Sequence, residues 1–218
     1  MGPWVKTRTG FFARNGYVTL HPDYRGHASS SPAEVGYASA ASAHHDFYVG
    51  YTQDVMALID AVKDYEGPLM DKNRIGMWGH SMGGGIAARV MTLSSDIRAY
   101  VLFASISADA EENFYELTDE EIAWLYETYG AESSDIYRRI SPITYFQDVQ
   151  TPVQLHHGAA DRDVPTAFSE TMFQRLTALN KKAELFTYPG EGHEFADAWQ
   201  TAADRALQFF DKYVKEAL

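Results

Sequence analysis

The hydrophobic pattern of the chain alternates short apolar runs with longer amphipathic segments. Short, largely apolar runs of four to six residues are typical of strands that are buried in a parallel sheet. The five runs that predict strands are Tyr17–Leu20, Arg74–Trp78, Arg98–Phe103, Val153–His156 and Ala183–Tyr188. The alternation therefore predicts an α/β fold, with helices on both faces of a mostly parallel sheet.

The amphipathic segments repeat their apolar residues with the period of an α-helix. Asp54–Lys63 places Val55, Ile59 and Val62 on one face, and Met82–Leu93 predicts a helix rich in small residues. The other predicted helices are Phe168–Leu179 and a long closing helix over Phe195–Leu218. Each of these faces is suited to burial against the sheet.

A segment of different character separates the third and fourth predicted strands. Residues 111–140 are acidic and aromatic with helical spacing, and Thr118 precedes Glu121 by three positions, the arrangement of a capping box. We interpret residues 105–150 as a small helical cap insertion within one α/β domain that spans residues 1–218. Neither an internal repeat nor a linker long enough to divide two domains interrupts the chain.

Composition and charge exclude several classes of protein. With 218 residues and 45% hydrophobic residues, the chain has the material for a packed core, which excludes global disorder. Its net charge is −12 and it has no long basic run, so neither nucleic acid nor an anionic membrane is an expected partner. The absence of Cys excludes disulfides, thiolate zinc sites and a cysteine nucleophile. Because neither a membrane-spanning stretch nor a signal peptide is recognisable, we expect a cytoplasmic protein.

The motif Gly79-His80-Ser81-Met82-Gly83 fits G-x-S-x-G and lies between a predicted strand and a predicted helix. A nucleophilic serine requires this context, because a sharp strand-to-helix turn exposes its hydroxyl. We attribute both glycines to the same turn, where side chains at Gly79 and Gly83 would collide with neighbouring elements. The helix N-terminus points N–H groups at the site, so the N–H of Met82 is a candidate oxyanion donor.

A serine hydroxyl needs a base to remove its proton and an acid to orient that base. Two glycine-rich turns follow the last two predicted strands; one contains Asp161 and Asp163, and the other contains His193. Carboxyl ends of parallel strands meet at one edge of a sheet, and the chain order Ser, Asp, His is that of this sheet type. Ser81, Asp161 and His193 are therefore the predicted catalytic triad, with Asp163 as the alternative acid.

Four ordered motifs carry a resemblance that covers almost the whole chain. They are the run Asp23-Tyr24-Arg25-Gly26-His27, the GHSMGG segment, the HGAADRDVP turn and the GEGH turn. The chain resembles the α/β-hydrolase superfamily, and within it the dienelactone-hydrolase-like and prolyl-oligopeptidase-like (acylaminoacyl-peptidase-like) serine hydrolases and esterases. The resemblance implies Ser81 as nucleophile, Asp161 as orienting acid, His193 as general base and the Met82 N–H as one oxyanion donor.

The N-terminal residues depart from that family pattern. In the families it resembles, a strand before this region carries a His-Gly turn that contributes the second oxyanion donor, and residues 1–12 contain neither feature. We therefore expect an N-terminally shortened sheet, in which Tyr17–Leu20 either pairs directly with Arg74–Trp78 or leaves an unpaired edge. Because a buried unpaired edge is costly, a rearranged N-terminus or a homo-oligomer formed along this edge is expected. Loss of one oxyanion donor costs roughly 3 to 4 kcal/mol in the transition state, so activity survives at a reduced level or another donor substitutes.

Cofactor and metal sites are not expected. The pairs His44-His45 and His156-His157 stand near aspartates, but no established metal-binding spacing includes them, so ordinary hydrogen-bonding histidines are the better interpretation. Neither a glycine-rich phosphate loop nor a dinucleotide fingerprint follows a strand, so no nucleotide cofactor is implied.

The leading functional hypothesis is a serine carboxylesterase that cleaves a small carboxylic ester, with Tyr24 and Trp124 as candidate pocket residues. Aromatic residues of the cap are otherwise explained by packing against one another. The alternatives are a catalytically impaired hydrolase fold that serves as a binding module, or an acyltransferase or peptidase that uses the same triad. The peptidase is disfavoured, because peptide-cutting members of the families it resembles commonly carry a propeller domain and these 218 residues contain none.

Overall fold

The computed structural model describes residues 3–27, residue 30 and residues 46–216, with side chains from residue 8 onward. In chain order, its α-helices and strands are α1 (Pro3–Arg14), α2 (Val49–Lys63), β1 (Ile75–His80), α3 (Met82–Leu93), β2 (Ile97–Phe103), α4 (Asp119–Tyr129), α5 (Asp135–Ile140), β3 (Val153–Gly158), α6 (Thr166–Ala178), β4 (Ala183–Tyr188) and α7 (Trp199–Phe210). Shorter 3-10 helices cover Glu111–Glu116 and Pro142–Asp148, and a π-helical turn over Asp211–Lys215 follows α7. None of the described helices combines the length and the apolar character that crossing a bilayer requires.

The four strands form one parallel sheet in the order β1-β2-β3-β4. Tyr100 of β2 stands opposite Val153 of β3, and Val153 in turn stands opposite Ala183 of β4. Every residue of β3 and all but one of β2 are buried. Burial explains the largely apolar run of β2, whereas β3 also buries the polar side chains of Gln154, His156 and His157. Four of the five predicted strands are confirmed to within two residues, and α3 spans the predicted range.

Packing divides the chain into two compact units. The sheet unit consists of residues 76–199, and the terminal unit combines the described residues of 1–75 with those of 200–218. In the terminal unit the ring of Phe12 packs on Phe210 (5.7 Å between centroids), and the hydroxyl of Tyr17 donates to Asp211 (2.8 Å). The single domain expected over residues 1–218 stays a prediction.

The connection between β2 and β3 holds the acidic and aromatic segment. It contains two 3-10 helices with α4 and α5 between them. The predicted capping box is confirmed, since Thr118 Oγ1 accepts the N–H of Glu121 (3.3 Å) while the Glu121 carboxylate accepts the N–H of Thr118 (2.8 Å). Inside the segment, the buried hydroxyl of Tyr137 donates to the carbonyl of Gly130 (2.8 Å). That residues 105–150 act as a cap over a site stays a prediction.

The strand predicted over Tyr17–Leu20 is wrong. These residues lie in no strand, and Val18 and Leu20 are about half exposed (54% and 49%). A strand is defined by hydrogen bonds to a neighbour, and no described strand pairs with this segment. Among the described strands β1 has β2 as its single neighbour, so it stands at the edge of the sheet. The N-terminal residues, which lack a strand pattern, form helix α1 instead.

The closing helix begins at Trp199 and not at Phe195, where the sequence placed its start. Phe195 has a φ of 51°, a left-handed conformation that a right-handed helix cannot contain. The carboxylate of buried Glu191 accepts the N–H groups of Asp197 (3.3 Å) and Ala198 (2.8 Å), just before the helix. These bonds satisfy N–H groups that would otherwise lack an acceptor at the helix start.

Candidate active site

The chain turns sharply between β1 and α3, and Ser81 lies at this turn. Its backbone angles, φ 56° and ψ −121°, fall in a region that residues other than glycine rarely adopt. Hydrogen bonds hold this conformation: the N–H of Ser81 donates to Phe103 (2.9 Å), and its carbonyl accepts the N–H groups of Gly84 (2.9 Å) and Ile106 (3.3 Å). A strained serine at the start of a helix is the conformation that the sequence motif predicts for a nucleophile.

Close packing requires glycine at the turn, but not at every position that the motif suggested. A Cβ atom at Gly79 would lie 2.2 Å from the carbonyl oxygen of Gly83, and one at Gly84 would lie 2.6 Å from the side chain of Ser105. Gly85 is similarly restricted, with the nearest side-chain atom 2.4 Å away. A Cβ at Gly83 would meet nothing within 4 Å, so the collision predicted there is wrong. The restriction falls one and two positions later, where α3 packs on the segment after β2.

The first N–H of α3 belongs to Met82, the predicted oxyanion donor. N–H groups in the first turn of a helix have no acceptor within the helix, and the helix dipole adds positive charge at this end. The side chain of Ser81 makes no capping hydrogen bond to α3. Met82 therefore stands where the motif requires it, and its role as an oxyanion donor stays a prediction.

Asp161 and His193 contact each other beyond the carboxyl ends of β3 and β4. Nδ1 of His193 lies 2.8 Å from Oδ2 of Asp161. The second carboxylate oxygen, Oδ1, accepts the backbone N–H groups of Asp163 and Val164, both at 2.9 Å. Asp163 is itself exposed and approaches Asp161 through its backbone. Of the two candidate acids, the structure places Asp161 against His193.

The charge on Asp161 is stabilised by its hydrogen bonds. Its side chain is fully buried, and burial alone would raise the pKa of this carboxyl. Hydrogen bonds from the Val164 N–H, the His193 ring and the Asp163 N–H outweigh burial, so the pKa of Asp161 is lowered. Asp161 is thus ionised near neutral pH and suited to stabilise a positive charge on His193.

His80 joins the turn of Ser81 to the loop of His193. Nε2 of His80 lies 3.0 Å from the carbonyl oxygen of His193, and the two rings are 4.6 Å apart between centroids. Because a carbonyl only accepts, Nε2 of His80 carries the proton of this bond. The described residues show a hydrogen bond from His193 to Asp161 but none from Ser81 to His193. A hydrogen bond between a catalytic serine and its base often tightens only when substrate is bound. The catalytic roles of Ser81, Asp161 and His193 stay predictions.

The residue that fixes the His193 loop was not found from the sequence. Glu191 is buried, and its carbonyl accepts the N–H of Ala160 (2.8 Å), which ties the loop of His193 to the loop of the acid. A Cβ at Gly158 would lie 2.4 Å from the carbonyl oxygen of Glu191, so the two loops approach closely. The glycine-rich turn was visible in the sequence, but no spacing marked Glu191 as its anchor.

The structure does not support a metal-binding role for the two histidine pairs considered in the sequence analysis. His44 and His45 lie outside the described residues. Both ring nitrogens of His156 and both of His157 lie within 3.1 Å of protein oxygen atoms. These two rings are therefore engaged in buried hydrogen bonds.

Two further groups of side chains could offer ligand atoms to a metal ion, and both include His193. Within each group the donor atoms lie within 4.8 Å of one another. They are His80, His193 and Glu194, and Asp161, Asp163 and His193. Nδ1 of His193 is held by Asp161, so we interpret this convergence as an acid–base arrangement and not as a metal site.

The two candidate pocket residues lie in different units. Tyr24 belongs to the terminal unit, where it stacks on Tyr51 (4.7 Å between centroids) and burial raises its pKa to about 12. Trp124 lies on α4 in the sheet unit, is 43% exposed and contacts the edge of Tyr129. Their part in a substrate pocket stays a prediction.

Comparison with known proteins identifies the family. The prolyl oligopeptidase family matches residues 3–217, which is almost the whole chain. The chain belongs to the prolyl oligopeptidase family. It has the α/β-hydrolase fold, and the resemblance found in the sequence is confirmed.

Individual relatives include esterases and peptidases. Over 105 residues the chain is 31% identical to a protein of Escherichia coli O157:H7 named as a carboxymethylenebutenolidase, an alignment that covers 42% of this chain and 36% of that protein. The acylaminoacyl peptidase of Pyrococcus horikoshii shares the fold with a TM-score of 0.61 at 22% identity, over 80% of this chain and 29% of the peptidase. A truncated carbohydrate esterase from gut microbiota has a TM-score of 0.66 at 21% identity, over 78% of this chain and 70% of the esterase. The chain thus spans about a third of the length of the first two proteins.

Proposed function

We propose that this member of the prolyl oligopeptidase family is a serine carboxylesterase that cleaves small carboxylic esters through an acyl-enzyme. The observation that carries the proposal is the presence of two features beyond the carboxyl ends of the strands. Ser81 after β1 has a strained backbone at the start of a helix, and His193 after β4 is bonded to buried Asp161 at 2.8 Å. Nucleophile, base and acid are thus available in the chain order of this fold.

The reaction has two steps, acylation of Ser81 and hydrolysis of the acyl-enzyme, and His193 and Asp161 take part in both. Oγ of Ser81 attacks the ester carbonyl carbon while Nε2 of His193 takes its proton, and the negative charge that develops on the carbonyl oxygen faces the N–H of Met82. The imidazolium, stabilised by Asp161, then returns the proton to the departing alcohol, which leaves an acyl group on Ser81. Water attacks the acyl group with the same proton transfers and releases the acid.

A small acyl group fits the proposal better than a long lipid chain. The connection between β2 and β3 contains one helix of 11 residues, and its other helical elements have only 6 or 7 residues each. A modest segment of this size favours a small pocket over an extended lipid groove. Relatives named as a carboxymethylenebutenolidase and a carbohydrate esterase are consistent with an ester substrate.

The test is hydrolysis of p-nitrophenyl acetate, butyrate and octanoate by the wild-type chain and four variants. Ser81→Ala and His193→Ala are expected to lose at least about a thousandfold in kcat/KM, and Asp161→Asn a comparable amount. Asp163→Asn is the matched control, because this neighbouring side chain is exposed and makes no hydrogen bond to His193; it is expected to stay within about threefold of wild type. A wild-type rate no greater than that of Ser81→Ala would exclude the esterase and favour the binding module.

Family membership favours a second candidate, hydrolysis of peptide or aminoacyl amide bonds. Amides have poorer leaving groups than esters and depend more strongly on oxyanion stabilisation, for which the motif supplies one donor. A p-nitrophenyl ester and a p-nitroanilide with the same acetyl-alanyl group separate the two candidates. We expect the ester to be cleaved faster by at least about a thousandfold, and comparable rates would replace the esterase with a peptidase.

A further inference from the structure

A second histidine approaches the predicted catalytic acid from inside the sheet. His157 on β3 is fully buried, and its Nε2 lies 3.3 Å from Oδ2 of Asp161, the oxygen that also binds His193. The same nitrogen lies 3.1 Å from the carbonyl oxygen of Val164. The other ring nitrogen, Nδ1, lies 2.7 Å from Oγ of Ser169 on α6.

These neighbours define the protonation state of His157. Burial lowers the pKa of His157 despite its contacts with Val164 and Asp161, so the ring is neutral near pH 7. Nε2 faces a carbonyl and a carboxylate, and neither can donate, so the single ring proton lies on Nε2. The hydroxyl of Ser169 then donates to Nδ1. One N–H of His157 is therefore fixed between Val164 and Asp161.

Oδ2 of Asp161 is consequently approached by two imidazole rings. His193 approaches it at 2.8 Å and His157 at 3.3 Å, while Oδ1 is occupied by two backbone N–H groups. Each N–H that faces Oδ2 offsets part of its charge. The charge that Asp161 presents to His193 therefore depends on the proton of His157.

We propose that His157 is a positioning residue that holds Oδ2 of Asp161 and sets how strongly this carboxylate favours the protonated form of His193. Its catalytic meaning rests on the proposed function, because His193 acts as the base there. The contact itself is a property of the folded chain and does not depend on which substrate is cleaved.

The test replaces His157 with Phe, which keeps a ring but has no N–H, and with Gln, whose side-chain amide restores a donor near Nε2. His156→Phe is the matched control, because His156 is equally buried on the same strand and its side chain points to the opposite face. The acid limb of the pH profile of kcat/KM reports protonation of the base in the free enzyme. With less of its charge offset, Asp161 favours protonated His193 more strongly, so in His157→Phe this limb should move to higher pH by about 0.5 to 1 unit.

We expect His157→Gln to return the acid limb toward wild type and His156→Phe to leave it in place. In His157→Phe, kcat should fall by roughly tenfold, because Oδ2 of Asp161 is held less firmly. KM should change little, because His157 is fully buried. Ser169→Ala is a milder variant, in which the ring loses the donor at Nδ1 and the limb should move in the same direction by less. This variant serves where the His157→Phe chain does not fold.

Other titratable groups near the pair are common to all the variants. They are His80, which donates to the carbonyl of His193, Glu194 beside it, and Asp163 in the acid loop. Because these groups are unchanged, a difference between His157→Phe and His156→Phe reports the contact with Asp161.

A second readout does not require turnover. The NMR titration of the His193 ring should show the same upward displacement in His157→Phe, even if the chain proves to be no esterase. The proposal would be overturned if wild type, His157→Phe and His156→Phe had the same acid limb and the same NMR titration of His193. An NMR displacement without any ester hydrolysis would retain the contact and reject the proposed function.

Discussion

The Asp161 carboxylate couples the site to folding stability. Its pKa is lowered in the folded chain by hydrogen bonds from Val164, His193 and Asp163 that outweigh its burial. A carboxyl with a lowered pKa stabilises the folded state above its unfolded pKa, near 3.9, and this contribution is lost as the pH falls through the folded value. The stabilisation by Asp161 is therefore complete at pH 7 and absent in strong acid.

We predict that Asp161→Asn is less stable than wild type at pH 7 and that the difference shrinks as the pH falls below about 4. Thermal unfolding of both chains at several pH values measures this. Asp163→Asn, which changes an exposed carboxylate two residues away, controls for general effects of acid. A difference between wild type and Asp161→Asn that stays constant from pH 7 to about 3 would contradict the assignment.

Residues defined by a motif were predictable, whereas residues that act through contacts were not. Ser81, Asp161 and His193 follow from glycine-rich turns after strands, a pattern that is local in sequence. Glu191 and His157 contact groups that the fold brings near them, and no period or spacing encodes those partners. In the sequence, His157 belongs to a histidine pair and begins the HGAADRDVP turn, and neither pattern indicates its contact with Asp161.

At the turn between β1 and α3, the packing of neighbouring elements decides which positions require glycine. Its motif suggested that both flanking glycines avoid collisions, but the structure restricts Gly79 and Gly84 and leaves Gly83 open. The reason is that α3 approaches the segment after β2 at Gly84, where a Cβ atom would lie 2.6 Å from the side chain of Ser105. The motif gives the positions of the glycines, but the space available to a Cβ at each position depends on the elements packed around it.

We predict opposite effects for alanine at neighbouring positions of α3. Gly84→Ala should lower the free energy of unfolding by about 1 to 3 kcal/mol, because its Cβ overlaps Ser105. Gly83→Ala should leave that free energy unchanged or raise it by up to about 1 kcal/mol, because alanine favours helix and its Cβ meets open space. Urea unfolding of the two variants measures both changes. Equal destabilisation by the two would show that the helix does not pack as described.

Other elements show where hydrophobic pattern succeeds and where it fails. Buried β2 and β3 were located to within two residues. Burial on both faces leaves a largely apolar run in β2, which made this strand recognisable. Tyr17–Leu20 has a similar run but forms no strand. A strand also needs a neighbouring strand to pair with, and the sequence of a segment does not show whether one is available. The start of α7 was misplaced because the left-handed conformation of Phe195 has no signature in its residue type.

At the scale of the molecule, the net charge is concentrated in one segment. Residues 105–150 contain eleven acidic and two basic residues, out of a total of 30 and 18. The segment also touches the site: the N–H of Ile106 donates to the carbonyl of Ser81 (3.3 Å), and Tyr115 Oη donates to the carbonyl of Asp163 (3.0 Å). A negative potential near the site disfavours anionic substrates at low salt.

We therefore predict that p-nitrophenyl butyrate is cleaved with a higher kcat/KM than p-nitrophenyl hemisuccinate, its anionic counterpart of similar size. The ratio should fall severalfold between about 10 mM and about 1 M NaCl, because salt screens the field of exposed carboxylates. Hydrolysis of both esters across this range of salt is the measurement. A ratio that does not depend on salt would show that the charged segment does not act on the site.

The edge of the sheet bears on assembly. Among the described strands β1 is an end strand of the sheet, and the sequence leads us to expect a homo-oligomer along an edge of this sheet. We propose that two chains associate along this edge. Light scattering during size-exclusion chromatography should then give about twice the chain mass of 24.4 kDa, and a monomer mass would contradict the proposal.

The most direct test of the account is covalent labelling of Ser81 with a fluorophosphonate, located by mass spectrometry. The reagent requires a serine activated by a neighbouring base, and it does not require knowledge of the natural ester. We predict a single adduct on Ser81 in the wild-type chain and labelling slower by at least about a hundredfold in His193→Ala and Asp161→Asn. No adduct on Ser81, or equal labelling rates in wild type and His193→Ala, would contradict the account.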